Sequence, residues 1–398
     1  MELPNRLELK YYLYNATQSH GFVIPIVVEY MLFRGLTFSQ LGTTGAVFMA
    51  GWALGEVPTG YVSDRIGRRN GLIISSVLTV AAILILGFGR TFLAFVGAFA
   101  LWSVGVTFRS GAGDAWLYEV LDERLDTEDF TRIKGRGWAA RLVVTALTSI
   151  LGGWLAAMNW LYPFAANAIL VGLSVPVILT VPPSDRFAAS EAGKPSVQAI
   201  LLVIREQFTT PPLRGFIIYM ALFFALVEVV TEYVQPVSTS LGVPVAALGW
   251  LYAGFSLIAA GGGYVAPTVR DHISERRWFV VGPLAVAVLL VAVAKVPVLA
   301  LPAFFVFRAV RSVTTTLRSQ FLNDHMGSVG RATAFSAASM MFALAAAVSR
   351  QVGGVVAELT SPLTMFGLFS AVFIAVTLFL LRVDPPIPAE VTSESAPG

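Results

Sequence analysis

The sequence predicts an all-α integral membrane protein in which twelve transmembrane helices form two pseudo-symmetric six-helix bundles. Three observations predict this fold class: the composition, a series of long apolar segments, and short motifs that recur half a chain length apart. Of the 398 residues, 56% are hydrophobic and 13% are charged, and the mean hydropathy is +0.74. Soluble domains carry about 25% charged residues. The composition therefore excludes a soluble fold, and it also excludes intrinsic disorder.

The apolar segments are numerous and long enough for twelve transmembrane helices. A helix needs roughly 20 mostly apolar residues to cross the hydrocarbon core, and only helices or closed barrels satisfy the backbone in lipid. The segments lack the alternation of barrel strands. The predicted segments, numbered span 1 to span 12, are residues 11–32, 41–62, 72–88, 92–118, 138–158, 161–181, 215–235, 248–269, 278–293, 298–317, 332–356 and 363–381.

Four regions follow from this order of segments. Residues 1–181 form the N-terminal six-helix bundle, and residues 213–382 form the C-terminal six-helix bundle. The polar stretch 182–212 is predicted to be a cytoplasmic linker loop, and the Pro-rich residues 383–398 are predicted to be a disordered cytoplasmic tail.

The basic residues of the short loops predict the orientation. Most of the Arg and Lys residues outside the spans fall in the loops on the side of both termini, whereas the opposite loops hold Arg34, Arg90 and Lys295. Both termini are therefore predicted to be cytoplasmic. We expect a multi-pass protein of the plasma membrane.

The two halves share short motifs. Three dipeptides recur about 200 residues apart in corresponding spans, and duplicated halves are the architecture of many transporters. The recurring pairs are Glu29-Tyr30 and Glu232-Tyr233, Arg109-Ser110 and Arg311-Ser312, and Gly152-Gly153 and Gly353-Gly354.

The loop between spans 2 and 3 carries the most specific motif. Residues 60–69 read Gly-Tyr-Val-Ser-Asp-Arg-Ile-Gly-Arg-Arg. This stretch resembles the loop signature of the major facilitator superfamily, Gly-x-x-x-Asp-Arg-x-Gly-Arg-Arg/Lys, at every defined position. The resemblance implies the superfamily's fold, transport of a small organic solute by alternating access, and a central cavity lined by spans 1, 4, 7 and 10.

The same resemblance implies a conformational latch that favours the outward-facing state. Gly60 would allow close helix packing, Gly67 a tight turn, and Asp64 would interact with the start of span 11 at Arg331, where a helix dipole favours an anion. The latch residues are Gly60, Asp64, Arg65, Gly67, Arg68 and Arg69.

Two other superfamily patterns match this chain incompletely. Residues 109–113 resemble the Arg-x-x-Gln-Gly element linked to proton transfer, but Ala112 replaces the Gln. In span 5, Gly152 and Gly153 are all that remains of the antiporter pattern Gly-Pro-x-x-Gly-Gly. Efflux by antiport is therefore possible but not indicated.

Ionisable side chains inside the spans are costly to insert and are therefore candidates for function. We expect five to line the substrate cavity: Arg109, Arg308, Arg311, Glu29 and His20. Glu228 and Glu232 are four residues apart and share a helix face. Because crowded carboxylates repel each other, these two are the predicted proton carriers.

Structural roles remain open for the same residues. The arginines can form permanent ion pairs with Glu228, Glu232 or Glu29, and His20 can be a hydrogen-bonded core residue. Glu56, Asp114 and Glu119 fit gate or packing positions, and Arg350 in span 11 is a further intramembrane charge.

Other classes of activity have no sequence support. The chain has no Cys, three dispersed His residues and no Gly-rich loop ending in Lys-Ser/Thr, so neither a metal site nor a nucleotide site is predicted. We predict a proton-coupled secondary active transporter that needs no cofactor and is not an enzyme. Its expected partners are a small-molecule substrate, a proton or other ion and the lipid bilayer, without nucleic acid, and it is expected to be a monomer. An uncoupled facilitator and a non-transporting sensor or receptor are the alternatives.

Overall fold

The computed structural model describes residues 5–124, 129–181, 211–325 and 331–383. Its secondary structure in these ranges is helical, and no strand occurs in them. The predicted all-α class is therefore confirmed. The predicted linker lies outside the described residues apart from Pro211 and Pro212, which begin span 7, and the predicted tail lies outside them from residue 384 onward.

The helices follow the predicted spans in order. In the N-terminal half they are Arg6–Thr17 and Val27–Phe33 (span 1), Phe38–Ile66 (span 2), Arg68–Phe88 (span 3), Phe92–Arg124 (span 4), Phe130–Met158 (span 5), and Leu161–Gly172 with Ser174–Leu179 (span 6). In the C-terminal half they are Pro211–Ser240 (span 7), Val245–His272 (span 8), Glu275–Lys295 (span 9), Ala300–His325 after the short turn Pro297–Leu299 (span 10), Arg331–Leu359 (span 11) and Pro362–Val383 (span 12).

Spans 3 to 12 are the 10 helices in the described chain that are long and apolar enough to cross a membrane by themselves. Span 2 is 29 residues long, but Gly, Thr and Glu56 lower its hydropathy. Span 1 is interrupted at residues 18–26, although the sequence predicts a continuous helix there.

The break in span 1 has a local cause. Pro25 has no backbone N–H to donate to a helix, and the break is stabilised from outside. The hydroxyl of Ser19 lies 3.0 Å from that of Thr145 in span 5, and the side-chain amide of Asn167 donates to the Ser19 carbonyl at 3.3 Å. Asn167 of span 6 thus replaces a helical hydrogen bond at the Ser19 carbonyl, and Thr145 of span 5 contacts the Ser19 side chain.

The packing order repeats between the halves. Span 1 packs on span 5, span 2 on span 4 and span 3 on span 6. In the second half, span 7 packs on span 11, span 8 on span 10 and span 9 on span 12. Each pair of the second half is the corresponding pair of the first half moved by six spans. The contacts therefore have the pseudo-symmetry expected for duplicated halves.

The halves meet through spans 2 and 11, spans 5 and 8, and spans 1 and 7. We call the end of the bundle at residues 34–37 the outer end and the opposite end the inner end; the basic loops predict that the outer end faces outward. Near the outer end, a Cβ on Gly354 would lie 2.9 Å from the Cα of Gly42, and a Cβ on Gly153 would lie 2.6 Å from the Ala246 carbonyl oxygen. Glycine thus permits backbone contact between the halves.

Candidate functional site

Span 7 is fastened to span 1 at the outer end by Gln235, which is buried. Its side-chain oxygen accepts from the backbone N–H groups of Val28 at 2.9 Å and Glu29 at 3.2 Å. Its side-chain nitrogen donates to the Ile24 carbonyl at 2.7 Å. Because the interruption of span 1 leaves the Ile24 carbonyl outside a helix, Gln235 satisfies backbone groups that the helix would otherwise pair.

Glu29 also lies in this outer junction rather than in the cavity. Its carboxylate accepts a hydrogen bond from the Thr239 hydroxyl at 2.8 Å. At the neighbouring contact, the Glu358 carboxylate accepts from the backbone N–H of Phe38 at 2.7 Å, and the Tyr233 hydroxyl donates to the Phe38 carbonyl at 3.1 Å. These hydrogen bonds between the halves hold the outer end closed.

A cavity of about 240 Å³ lies on the inner side of these contacts, between the halves. Span 2 lines it from one half, and spans 7, 10 and 11 line it from the other. Its polar and aromatic lining residues are Trp52, Glu56, Phe224, Glu228, Arg311, Thr315, Arg318, Ser339 and Phe342. The described contacts between the halves therefore close the outer end above this cavity.

A buried ionic network forms the outer wall of the cavity. Glu228 accepts from Arg311 at 2.8 Å and from Arg350 at 2.7 Å, so one carboxylate links spans 7, 10 and 11. The Nε of Arg350 lies 3.4 Å from Glu232. The sequence prediction placed Glu228 and Glu232 on one helix face, and the structure brings both to the same arginine.

The network touches the opposite half at Gly45 of span 2. A Cβ on Gly45 would lie 2.6 Å from a carboxylate oxygen of Glu232 and 2.9 Å from the Cδ of Arg350. Glu232 is 7% exposed. The charges of the C-terminal half are therefore sealed by a glycine of the N-terminal half, and any outward separation of spans 2 and 11 would expose them.

Comparisons with known proteins give the family. The sequence profile described as the Major Facilitator Superfamily matches residues 15–237 and again residues 231–397. The chain belongs to the major facilitator superfamily. The two matches correspond to the two halves, and they confirm the twelve-span, two-bundle fold class predicted from the sequence.

Relatives within the superfamily are transporters. An uncharacterized MFS-type transporter, YxaM of Bacillus subtilis (strain 168), is 23% identical over 375 residues, which cover 91% of this chain and 90% of that protein. A probable 4-methylmuconolactone transporter of Cupriavidus pinatubonensis is 28% identical over 156 residues, 38% of this chain and 35% of that protein. Among solved structures, a D-xylose-proton symporter superposes with a TM-score of 0.72 at 18% identity, covering 96% of this chain and 97% of that chain.

The superfamily loop forms the turn between spans 2 and 3. Arg68 forms an ion pair with Asp64 at 3.1 Å, and Gly67 adopts a φ of 92°, a conformation that glycine adopts without strain. Arg69 donates to the Leu179 carbonyl at 2.8 Å, and the Arg65 guanidinium lies 4.2 Å from the Tyr61 ring centroid.

Parts of the predicted latch are absent from this conformation or lie outside the described residues. A Cβ on Gly60 would meet nothing within 4 Å, so the close packing predicted at Gly60 does not occur here among the described atoms. The side chains of Arg331, Asp114 and Glu119 lie outside the described part of the chain. The contact of Asp64 with span 11 therefore stays a prediction.

We expect Asp64→Asn to slow transport about tenfold while solute affinity changes less than twofold, because the change removes a charge that the other conformational state would use and leaves the cavity intact. Initial transport rates and equilibrium binding of purified protein test this. Asp271→Asn, at the exposed C-terminal end of span 8, is the matched control. Unchanged transport in Asp64→Asn would contradict the latch.

The remaining predicted arginines are not in the network. Arg308 lies over the Phe255 ring at 5.0 Å, and Arg109 lies in the N-terminal half near His20. The sequence analysis missed Gly45, Gln235 and Arg141. Arg141 lies three residues inside predicted span 5, so a complete search for charges within the spans identifies it, whereas Gly45 and Gln235 carry no chemical signal of their own.

Proposed function

We propose that this transporter is a proton-coupled secondary active transporter that moves a small organic solute by alternating access. It works in the plasma membrane as a monomer, with both termini in the cytoplasm. The observation that carries the proposal is the position of Glu232, a buried carboxylate pressed against Gly45 of the opposite half. At that position, the protonation state of Glu232 affects the contact between the halves.

Glu232 suits proton binding better than Glu228. Glu228 has two guanidinium partners at 2.8 and 2.7 Å, so a proton would have to displace strong charge-assisted hydrogen bonds. Glu232 shares Arg350 with Glu228, and the Glu232 carboxylate lies 3.4 Å from the Nε of Arg350. A weakly paired carboxylate without water favours its neutral form. We therefore assign the proton to Glu232 and a permanent structural charge to Glu228.

Coupling follows from the closure of the outer end. When spans 2 and 11 separate at Gly42 and Gly354, Glu232 loses the cover of Gly45 and gains water. When they approach, Glu232 loses its water, and Arg350 remains its cationic partner at 3.4 Å. Closure of the outer end is then favoured when Glu232 carries a proton, so an outside proton promotes the inward-facing state.

A pH gradient across proteoliposomes tests this proposal. The probe solutes are 4-methylmuconolactone, named in one relative, and benzoate, and uptake is counted above that of protein-free liposomes, into which weak acids diffuse by themselves. We expect uptake against a concentration gradient when the interior is alkaline, and we expect Glu232→Gln to lose that accumulation while it retains exchange of solute across the membrane. Glu275→Gln changes a carboxylate at the start of span 9, outside the network and the outer contacts, and is expected to retain accumulation.

An uncoupled facilitator is the second candidate. The observation that favours it is the charge balance of the network, in which two carboxylates face two guanidiniums. In that case the pH gradient leaves the flux unchanged, and Glu232→Gln transports both solutes at the rate of the unaltered protein.

A further inference from the structure

Buried hydrogen-bond donors without a protein partner collect between spans 1 and 4. In the described structure, Tyr14 Oη, Trp102 Nε1, Arg109 Nη1 and Trp116 Nε1 are buried and have no hydrogen-bond partner, and the same holds for His20 Nδ1. Buried polar atoms are rarely left without partners. All five groups belong to side chains that can donate, and the Trp and Arg groups cannot accept.

Three of these residues share one face of span 4. Trp102, Arg109 and Trp116 are seven residues apart, so they follow one another at steps of about 10 Å along the helix axis. The Trp102 ring lies 5.1 Å from the His20 ring, and the Trp116 ring lies 6.2 Å from the Tyr14 ring. Arg109 is therefore on the face turned to span 1, at the level between Tyr14 and His20.

A second guanidinium comes from span 5. Arg141 lies between Gly137, where a Cβ would come within 3.2 Å of the Asn15 side chain, and Thr145, whose hydroxyl lies 3.0 Å from that of Ser19. Arg141 thus lies along the same stretch of span 1 as Arg109. The two guanidiniums are close enough to affect each other electrostatically.

No carboxylate of the described chain pairs with Arg109 or Arg141, in contrast to Arg311 and Arg350 of the other half. Two like charges among unpaired donors, removed from water, are unfavourable without a counter-charge. A carboxylate or other oxyanion at the level of Arg109 would accept from the guanidiniums and the Tyr14 hydroxyl. The indoles, about 10 Å along span 4 on either side, would donate to other acceptors of the same ligand.

We propose that Arg109 and Arg141 bind the carboxylate or another oxyanion group of the transported solute. Tyr14, His20, Trp102 and Trp116 line the same subsite, and the six residues are here called the donor cluster. The solute is then an organic acid bound as its anion. This inference rests on the proposed transport function, because it names the class of solute that the transporter carries.

Equilibrium binding to the purified full chain in nanodiscs, without any gradient, tests the charge preference. Two sets of ligands match in size and differ in charge: benzoate, benzamide and benzylamine, and hexanoate, hexanamide and hexylamine. We expect a carboxylate to bind about tenfold or more tighter than its amide, because hydrogen bonds to charged groups are worth about 1.5–3 kcal/mol. Equal binding within both sets, tighter binding of the amines, or no binding of either carboxylate would overturn the proposal.

Substitutions locate the subsite. We expect Arg109→Gln and Arg141→Gln each to weaken carboxylate binding about tenfold while amide binding stays unchanged. Tyr14→Phe removes one donor and is expected to weaken it severalfold. Arg34→Gln, an arginine of the same half that donates to the Gly89 carbonyl at 3.0 Å, is the control and is expected to bind as the unaltered protein does. An equal loss in Arg34→Gln and Arg109→Gln would overturn the assignment to the donor cluster.

Two further variants test the subsite if Arg109→Gln does not fold. Tyr14→Phe and Arg109→Lys both preserve the positive charge in the core, so their effect on carboxylate binding is measured instead. Binding in nanodiscs needs no proton gradient, so a carboxylate preference together with gradient-independent flux contradicts only the proposed coupling. Gradient-driven uptake without a carboxylate preference contradicts only the donor cluster.

Discussion

Glu228→Gln is expected to lower the free energy of unfolding by about 3 kcal/mol or more, because breaking a buried ion pair leaves an uncompensated charge. Here one substitution breaks two pairs, the contacts of Glu228 with Arg311 at 2.8 Å and Arg350 at 2.7 Å. Glu232, 3.4 Å from Arg350, remains as the one acid of the network. Transport is expected to be lost, since spans 7, 10 and 11 are no longer held together. Thermal unfolding in detergent measures the loss of stability.

A double substitution separates charge balance from other effects of Glu228→Gln. Adding Arg311→Gln leaves one carboxylate, Glu232, and one guanidinium, Arg350, in the network, so the charges balance again. We expect the double variant to recover most of the lost stability but not the transport activity. Glu275→Gln is the control, because in its pair with Arg270 at 3.3 Å the Arg270 side chain is 46% exposed; exposed pairs contribute about 1 kcal/mol or less. A Glu228→Gln protein that unfolds like the unaltered one would show that the network is not structural.

The fold was accessible from sequence because its determinants are local. Each span is an apolar run whose length is set by the bilayer, and the recurrence of Arg109-Ser110 as Arg311-Ser312 reflects the duplicated halves. The break in span 1 was not predicted. Pro25 is visible in the sequence, but the interruption also depends on Ser19, Thr145 and Asn167, whose spans meet only in the folded protein.

The site was accessible in part. Spacing alone placed Glu228 and Glu232 on one face, and the cost of buried charge marked Arg311. The partners of these charged residues could not be predicted from the sequence, because they are set by packing between spans. Gly45 covers Glu232 only because spans 2 and 11 approach to backbone contact. The sequence also left open whether the arginines bind solute or acids. Arg311 has an acid partner, whereas Arg109 has none among the described residues.

Gly42→Leu is expected to abolish transport by preventing closure of the outer end. A Cβ on Gly354 would already lie 2.9 Å from the Cα of Gly42, so a branched side chain at residue 42 cannot fit between spans 2 and 11. Backbone cannot move aside as a flexible side chain can. Because the chain contains no Cys, Val28→Cys supplies a single thiol at the outer junction, where Val28 is 7% exposed.

Labelling of that thiol by a membrane-impermeant maleimide in intact cells measures the closure. We expect rapid labelling of Val28→Cys when Gly42→Leu is present and slow labelling when it is absent. Gly97→Leu is the control, because a Cβ there would meet nothing within 4 Å. Slow labelling together with normal transport in Gly42→Leu would contradict the role of the glycine contact. Alternating access requires each end to close in turn, so a block at the outer end stops the cycle even though carboxylate binding to the donor cluster is unchanged.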